Sequence, residues 1–188
     1  MASLDFPTAF KYPFRRWVGL LNILWLLVPI YGWFLLIGYR VRILAEYLDG
    51  KYKKLPTIAH GSDFTLGWKM FWKAFPALLI LVAGAVVTGV FERRPNDVFV
   101  ALYVIVVLLV VPVLAMHFIR KRTIASCFEF NLVRTVFKNI GDYLLALLQD
   151  LALGLLFLAM CLILVGFPAG VFTKSIFLAE FYRTHVKR

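Results

Sequence analysis

The sequence predicts an all-α integral membrane protein, and three observations lead to that class. Hydrophobic residues make up 62% of the chain and its mean hydropathy is +0.85, whereas soluble domains contain roughly 45 to 50% apolar residues. A bilayer core about 30 Å thick is crossed by about 20 apolar residues in a helix. Four apolar segments of about this length fill nearly half of the chain, at residues 17–38, 74–91, 98–119 and 143–167. We therefore expect a single membrane domain over residues 1–188, with these four segments embedded in lipid as helices.

The first and the last apolar segments each contain a cluster that interrupts a helix. Proline removes a backbone donor and glycine loosens the helix, so the freed backbone groups need protein or water partners inside a membrane. The expected helix breaks are Pro29 and Gly32 in the first segment and Gly166, Pro168 and Gly170 in the last. Each broken segment either spans with a kink or folds back as a re-entrant hairpin. The length of the apolar runs favours spanning.

The distribution of Lys and Arg favours the hairpins instead. If all four segments cross, the 21 basic residues divide into twelve in the two long connections and nine elsewhere, which does not orient the chain. If the outer two segments fold back, nineteen basic residues share one side, and only Arg93 and Arg94 lie on the other. Lys and Arg concentrate in cytoplasmic loops. The charge count and the segment lengths therefore leave both topologies open.

Two amphipathic stretches, 62–75 and 123–141, lead into the second and the fourth apolar segments. In both, apolar side chains recur at helical spacing, and Lys or Arg residues recur on a separate stripe. Trp and Lys are favoured at headgroup depth. We expect each stretch to be either an interfacial helix or the amphipathic end of a longer helix that packs on the bundle.

The net charge of +11 is best explained by a membrane surface. Basic residues lie at the ends of the apolar segments, where anionic headgroups attract them. Membrane lipids are therefore the expected partners, and nucleic acid is not. The residues expected to contact lipid headgroups are Arg40, Arg42, Lys51, Lys53, Lys54, Lys69, Lys73, Arg120, Lys121, Arg122, Arg134 and Lys138.

The order of elements suggests an internal duplication. An apolar segment, a basic turn, an amphipathic stretch and a second apolar segment occur twice along the chain. The sequence Ile-Leu-Ala-Glu-Tyr at 43–47 resembles Phe-Leu-Ala-Glu-Phe at 177–181, and each follows one of the two helix-breaking clusters.

Few polar residues interrupt the apolar segments. Asp150 is a functional hypothesis because an acid inside a membrane is costly. It lies only about two turns beyond the expected start of the last segment, so an interfacial position or a structural ion pair is the preferred interpretation. His117 has no companion at metal-ligand spacing. The sequence contains no nucleophile with a base and no phosphate loop. We therefore predict no enzymatic activity, cofactor or metal.

Short runs of distinctive residues follow one another along the chain. They include Pro-Ile-Tyr-Gly at 29–32, Gly-Tyr-Arg at 38–40, Leu-Pro at 55–56, Gly-Trp-Lys at 67–69 and Ala-Glu-Phe-Tyr-Arg at 179–183. Together these runs resemble the prokaryotic membrane-protein family catalogued as domain of unknown function 4013. The resemblance covers roughly residues 10–185. It implies an uncharacterised multi-pass protein of a prokaryotic cytoplasmic membrane, with no catalytic residues. One departure is the loop after Leu-Pro, which lacks the Trp and acidic residues usual in that family.

Two classes of function remain. The first is a non-enzymatic membrane component, such as a scaffold, an oligomer-forming protein or an accessory subunit, whose partners are other membrane subunits or further copies of the chain. Small residues from Ala83 to Gly89 would let another helix approach closely. The alternative is a transporter or channel subunit that uses the broken helices to bind an ion, a small solute or a lipid. The scarcity of polar groups in the segments favours the first class.

Overall fold

The structure is a computed structural model that describes residues 4–50, 54–90, 97–163 and 165–186. Within these ranges every regular element is helical. A 3₁₀ segment at Pro13–Leu27, here called the 3₁₀ arm, is interrupted at Arg16, and shorter 3₁₀ turns lie at Ala125–Phe128 and Met160–Ile163. The α-helices are α1 (Phe6–Lys11), α2 (Tyr31–Leu48), α3 (His60–Val87), α4 (Asp97–Lys121), α5 (Asn131–Lys138), α6 (Ile140–Ala159), α7 (Gly166–Thr173) and α8 (Ile176–His185).

Three of the described helices, α3, α4 and α6, are long and apolar enough to cross a membrane. They contain 28, 25 and 20 residues, so each reaches at least about 30 Å at 1.5 Å per residue. Many of their outward-facing Leu, Ile and Val side chains are exposed. Such surfaces are stable in lipid rather than in water. The predicted all-helical fold with membrane-type helices is therefore confirmed.

The first predicted segment, 17–38, is not one continuous helix. The 3₁₀ arm ends at Leu27 and α2 begins at Tyr31, so Pro29 lies between them. The Tyr31 N–H donates to Pro29 O at 2.7 Å, and Ile30 between them has φ 64° and ψ −70°. These values define a γ-turn with positive φ. A β-branched residue rarely adopts that conformation, so the turn stores backbone strain.

The 3₁₀ arm and α2 pack antiparallel, and we call this pair the first hairpin. At its open end the rings of Tyr12 and Tyr47 lie 4.9 Å apart. At its closed end a Cβ built on Gly32 would lie 1.7 Å from Trp25 O. The chain can return so closely along itself only because residue 32 is glycine.

The last predicted segment, 143–167, is divided in a similar way. After α6 ends, α7 and α8 return along it, and we call these three helices the second hairpin. Asp150 Oδ1 accepts a hydrogen bond from Phe177 N–H at 3.2 Å midway along the hairpin. Asp142 Oδ2 lies 3.1 Å from His185 Nε2 at its open end. At both outer segments the chain therefore folds back on itself.

Helices α2 and α3 cross at a pair of glycines. A Cβ built on Gly38 would lie 1.8 Å from Asp63 O, and one built on Gly67 would lie 1.8 Å from Phe34 O. Real Cβ atoms do not approach a backbone oxygen so closely, so the two backbones are in direct contact. Contact of this kind between small residues is typical of helix pairs in membranes.

The two amphipathic stretches form different structures. The first, 62–75, is the beginning of α3, which continues without interruption through Pro76. It is therefore the amphipathic end of a longer helix that packs on α2. The second, 123–141, is divided into a 3₁₀ turn, α5 and the start of α6, because Asn139 has non-helical angles of φ −121° and ψ 41°. The first stretch therefore matches the alternative of a longer helix, whereas the second is not one continuous helix.

The core surrounds α2 and α8, the returning arms of the two hairpins. Tyr39 on α2 meets Phe172 edge to face, with ring centroids 5.2 Å apart. Most side chains of the similar sequences 43–47 and 177–181 are buried there. The small-residue face on α3 lies against another helix of the same chain. Gly84 packs against the Tyr103 ring, whose hydroxyl donates to Leu81 O at 2.7 Å, so this face receives α4 of the same chain.

Candidate functional site

A buried carboxylate lies close to the crossing of α2 and α3. Asp63 is 1% exposed, and its Oδ2 accepts hydrogen bonds from Arg42 Nη2 and from Ala59 N–H, each at 2.8 Å. By accepting a hydrogen bond from Ala59 N–H, the Asp63 carboxylate satisfies a backbone donor at the start of α3. The helix dipole there also favours a negative charge. The same Arg42 Nη2 donates to Thr57 O. One ion pair thus joins α2, α3 and the loop between them.

The remaining contacts of this loop come from two other side chains. Arg16 Nη1 donates to Thr57 Oγ1 at 2.9 Å, and the Tyr39 hydroxyl donates to Pro56 O at 3.0 Å. Leu55 is fully buried beside these groups. The Leu-Pro loop is therefore fixed by side chains from the 3₁₀ arm and α2. Arg42 was expected to contact a lipid headgroup, but its Nη2 atom donates hydrogen bonds within the protein.

A second polar network lies where α4 ends. His117 is 6% exposed, and its Nε2 donates to Glu129 Oε2 at 2.8 Å. With that tautomer, Nδ1 accepts a hydrogen bond from the Tyr182 hydroxyl on α8. Lys121 Nζ lies 2.7 Å from the same Glu129 oxygen. The Lys121 ammonium, with His117, holds the pKa of the Glu129 carboxyl below its usual value. The network links α4, α8 and the connection before α5.

Asp150, the acid expected within the membrane, is on α6, and its carboxylate faces the first turn of α8. Its two carboxylate oxygens accept hydrogen bonds from Phe177 N–H at 3.2 Å and from Leu178 N–H at 3.4 Å. Those N–H groups are among the four that a helix leaves without partners, and they form the positive end of its dipole. Asp150 therefore has a structural partner of a kind the sequence could not identify.

Replacing Asp150 with alanine is expected to destabilise the second hairpin. The loss of a capping acceptor costs about 1 to 2 kcal/mol, which lowers Tm by about 3–6 °C for a protein of this size. Asp150→Asn keeps an acceptor and should lose less. Thermal unfolding in detergent measures both variants, with Gln149→Ala as the neighbouring control. Equal Tm values for Asp150→Ala and the control would show that the cap contributes no stability.

A large apolar groove of about 1280 Å³ lies between α4, α6 and α7. Aliphatic side chains of α4 and α6 line most of it, and Gly154 on α6 leaves part of it open because nothing lies within 4 Å of its Cβ position. The polar residues at its lining are Asp150, Thr173, Lys174 and Ser175, which lie together where α7 meets α8. The groove is therefore apolar along its length and polar in one place.

The other predicted headgroup residues have varied surroundings. Arg120 pairs with Asp49, Lys121 with Glu129, and Lys73 Nζ donates to Arg122 O at 2.7 Å. These contacts join the basic end of α4 to the C-terminal end of α2 and to the middle of α3. Lys54, Lys69, Arg134 and Lys138 are exposed, Arg40 is half-buried, and Lys51 and Lys53 lie outside the described residues.

The predicted break residues also differ in their surroundings. Pro29 is exposed, whereas Gly166 and Pro168 are buried in α7. A Cβ built on Gly166 would lie 2.0 Å from Phe157 O, but one on Gly170 would meet Phe157 Cβ at 3.4 Å, which is an ordinary contact. Glycine is therefore required at 32 and 166 and not at 170. The break between α7 and α8, where Ser175 has a positive φ of 73°, was not anticipated.

Fold and site define an all-helical protein of the membrane type, built from two helical hairpins and a pair of long apolar helices. The buried side chains of Asp63 and His117 join separate elements of the fold, and no cluster of described residues could hold a metal ion. The chain belongs to the family of proteins of unknown function DUF4013, whose model matches residues 21–166. The family predicted from the short sequence runs is thereby confirmed. No curated protein and no solved structure matches the chain.

Proposed function

We propose that the protein is a non-enzymatic component of the cell membrane that assembles, through α3 and α4, with further copies of itself or with other membrane subunits. The observation that carries this proposal is the use of the polar groups. Asp63, Asp150 and His117 each bond to another part of the chain. The one large groove described above has an almost entirely apolar lining. Polar groups that bind other groups of the protein give it stability rather than a reaction centre.

The assembly surface follows from the exposure of α3 and α4. Beyond the core, the two helices contact each other through Gly84 and Tyr103, and their outer faces are uncovered. Leu79 on α3 is 53% exposed and Leu102 on α4 is 58% exposed. Lipid alone can cover such faces. The contiguous apolar face formed by α3 and α4 is also suited to packing against another membrane helix.

The proposal places both hairpins in the membrane as re-entrant elements and the basic ends on the cytoplasmic side. The contacts between Arg120 and Asp49 and between Lys73 and Arg122 support this arrangement, because they hold the basic end of α4 beside the end of α2 and beside a lysine of α3. Exposed cations such as Lys69 and Lys138 would then contact anionic headgroups.

The mass of the assembly in native lipid tests the proposal. Polymer-extracted lipid particles should contain more than one 21.6 kDa chain, or this chain with a fixed partner, when measured by native mass spectrometry. Leu79→Trp and Leu102→Trp should reduce that mass, because a bulky ring blocks helix packing and remains compatible with lipid. Leu24→Trp, at a side chain 57% exposed on the 3₁₀ arm, is the matched control. A single chain with lipid only, unchanged in all variants, would contradict the proposal.

The second candidate function is transport, and the two interrupted hairpins favour it. Unwound backbone near the centre of a membrane binds ions and substrates in many transporters, and both Ile30 and Ser175 have positive φ at interruptions. Flux of an ion or solute into proteoliposomes, lost on Ile30→Pro and retained on Leu24→Trp, would establish this function in place of the structural one.

A further inference from the structure

We propose that the groove between α4, α6 and α7 is a binding site for one diacyl phospholipid, with the lipid phosphate at Lys174 and the acyl chains along α6. This inference goes beyond the proposed assembly and does not rest on it. One wall of the groove is α4, but Leu79 and Leu102, which test the assembly, do not line the groove.

The size and lining of the groove fit acyl chains. Its volume of about 1280 Å³ exceeds the roughly 300–1,000 Å³ of sites for drug-sized ligands. From Ile105 to Ala115 on α4 and from Leu144 to Leu158 on α6, the lining side chains are apolar except for Asp150. A long apolar ligand gains from burial along this whole length. A small polar solute would find no hydrogen-bond partners there.

The polar part of the groove, beside the middle of α6, carries one positive charge, Lys174, which also interacts electrostatically with the Asp150 carboxylate. Asp150 already accepts hydrogen bonds from the N–H groups of Phe177 and Leu178. Thr173 Oγ1 donates to Ala169 O. Lys174 is exposed, and none of the described acidic residues lies within ion-pair distance of its ammonium group.

Lys174 and the adjacent Ser175 therefore favour an anionic oxygen group as the ligand at the polar part of the groove. A lysine side chain can extend to a headgroup while its methylene stem stays against apolar surface. A phospholipid combines the required features, because its phosphate is anionic and its chains are long and apolar. A transmembrane helix with only apolar side chains would present no anion to Lys174.

The experiment compares two lipids that differ only in the headgroup. Purified full-length protein is titrated with dioleoyl phosphatidylglycerol or with dioleoylglycerol, and native mass spectrometry counts the bound lipid. The wild type should bind one phosphatidylglycerol more tightly than dioleoylglycerol. Lys174→Gln should weaken phosphatidylglycerol by about fivefold, as expected for one basic contact, and leave dioleoylglycerol unchanged.

A second pair of variants tests the acyl-chain part of the site. Gly154→Phe places a ring in the groove, whereas Gly141→Phe on the same helix adds a ring outside it, and at both positions a Cβ meets nothing within 4 Å. Gly154→Phe should lose binding of both lipids, and Gly141→Phe should keep both.

Three outcomes would overturn the inference. One is equal binding of the two lipids by the wild type, and another is an unchanged preference in Lys174→Gln. The third is equal binding by the two phenylalanine variants, which would indicate lipid that surrounds the protein without a site. None of these outcomes changes the expected mass of the assembly, so the failure of this inference can be distinguished from the failure of the proposed function.

Discussion

Replacing Gly38 with leucine is expected to prevent stable folding of the helical bundle. Even a Cβ at this position would lie 1.8 Å from Asp63 O, and Gly67 is equally close to Phe34 O. Neither neighbour is a flexible side chain, so α2 and α3 must move apart. Overpacking usually costs about 1–3 kcal/mol. Separating two backbones should exceed that range and reach the rare losses above about 4 kcal/mol.

The substitutions of Gly38 on α2 and Gly67 on α3 have a matched control at another glycine of α3. Gly61 lies in the first turn of α3, and a Cβ there meets nothing within 4 Å. Gly38→Leu and Gly67→Leu should therefore aggregate or lose their thermal transition in detergent, while Gly61→Leu unfolds like the wild type. Size-exclusion chromatography and thermal unfolding decide the matter. Normal Tm values for all three variants would mean that α2 and α3 do not cross at these glycines.

The second large effect is expected from Arg42→Gln, which removes the charge partner of a buried carboxylate. Asp63 is 1% exposed, and breaking a buried ion pair by removing one partner costs about 3–5 kcal/mol. The cost arises because the remaining charge has lost both its counter-ion and its water. We expect Arg42→Gln to lower stability by about 3 kcal/mol in chemical unfolding, since Arg42 itself is partly exposed.

A double-mutant cycle separates this effect from the loss of the hydrogen bond to Thr57. Asp63→Asn keeps an acceptor for Ala59 N–H, so the combination of both changes should be more stable than the sum of the two single losses predicts. Lys69→Gln, at an exposed position of α3, is the control for loss of a surface charge. Strictly additive losses would show that the two side chains do not interact.

The membrane class follows from features that sequence alone carries, whereas the hairpins were one of two alternatives that the sequence left open. Apolar length and composition predict α3, α4 and α6 directly. For the outer segments, length favoured spanning, whereas the charge count favoured hairpins. The structure contains hairpins because Gly32 and Gly166 allow backbone contacts that no larger residue permits. Hydropathy measures only the preference for lipid, so it cannot detect such a reversal.

The details of the site could not be predicted because they depend on distant pairs of residues. Gly38 and Gly67 were noticed in short family-like runs, but nothing in the helical periodicity pairs them. Asp150 was recognised as an unusual intramembrane acid, yet its partners lie 27 and 28 residues away. The groove arises from how α4, α6 and α7 pack, which periodicity does not specify. The continuity of α3 through Pro76 agrees with the alternative of one longer helix.

The central claim is that the protein lies in a membrane and contains two hairpins. The open ends of both hairpins and the basic end of α4 lie on the same side of that membrane. Single cysteines at Lys11, Lys54, Lys138 and His185, and one at Asn96, can be labelled in intact cells with an impermeant reagent. The account predicts protection at the first four positions until the cells are opened, and labelling at Asn96 from outside. Labelling of Lys11→Cys or His185→Cys in intact cells, with Lys54→Cys and Lys138→Cys protected, would instead show that the outer segments cross the membrane and would contradict the account.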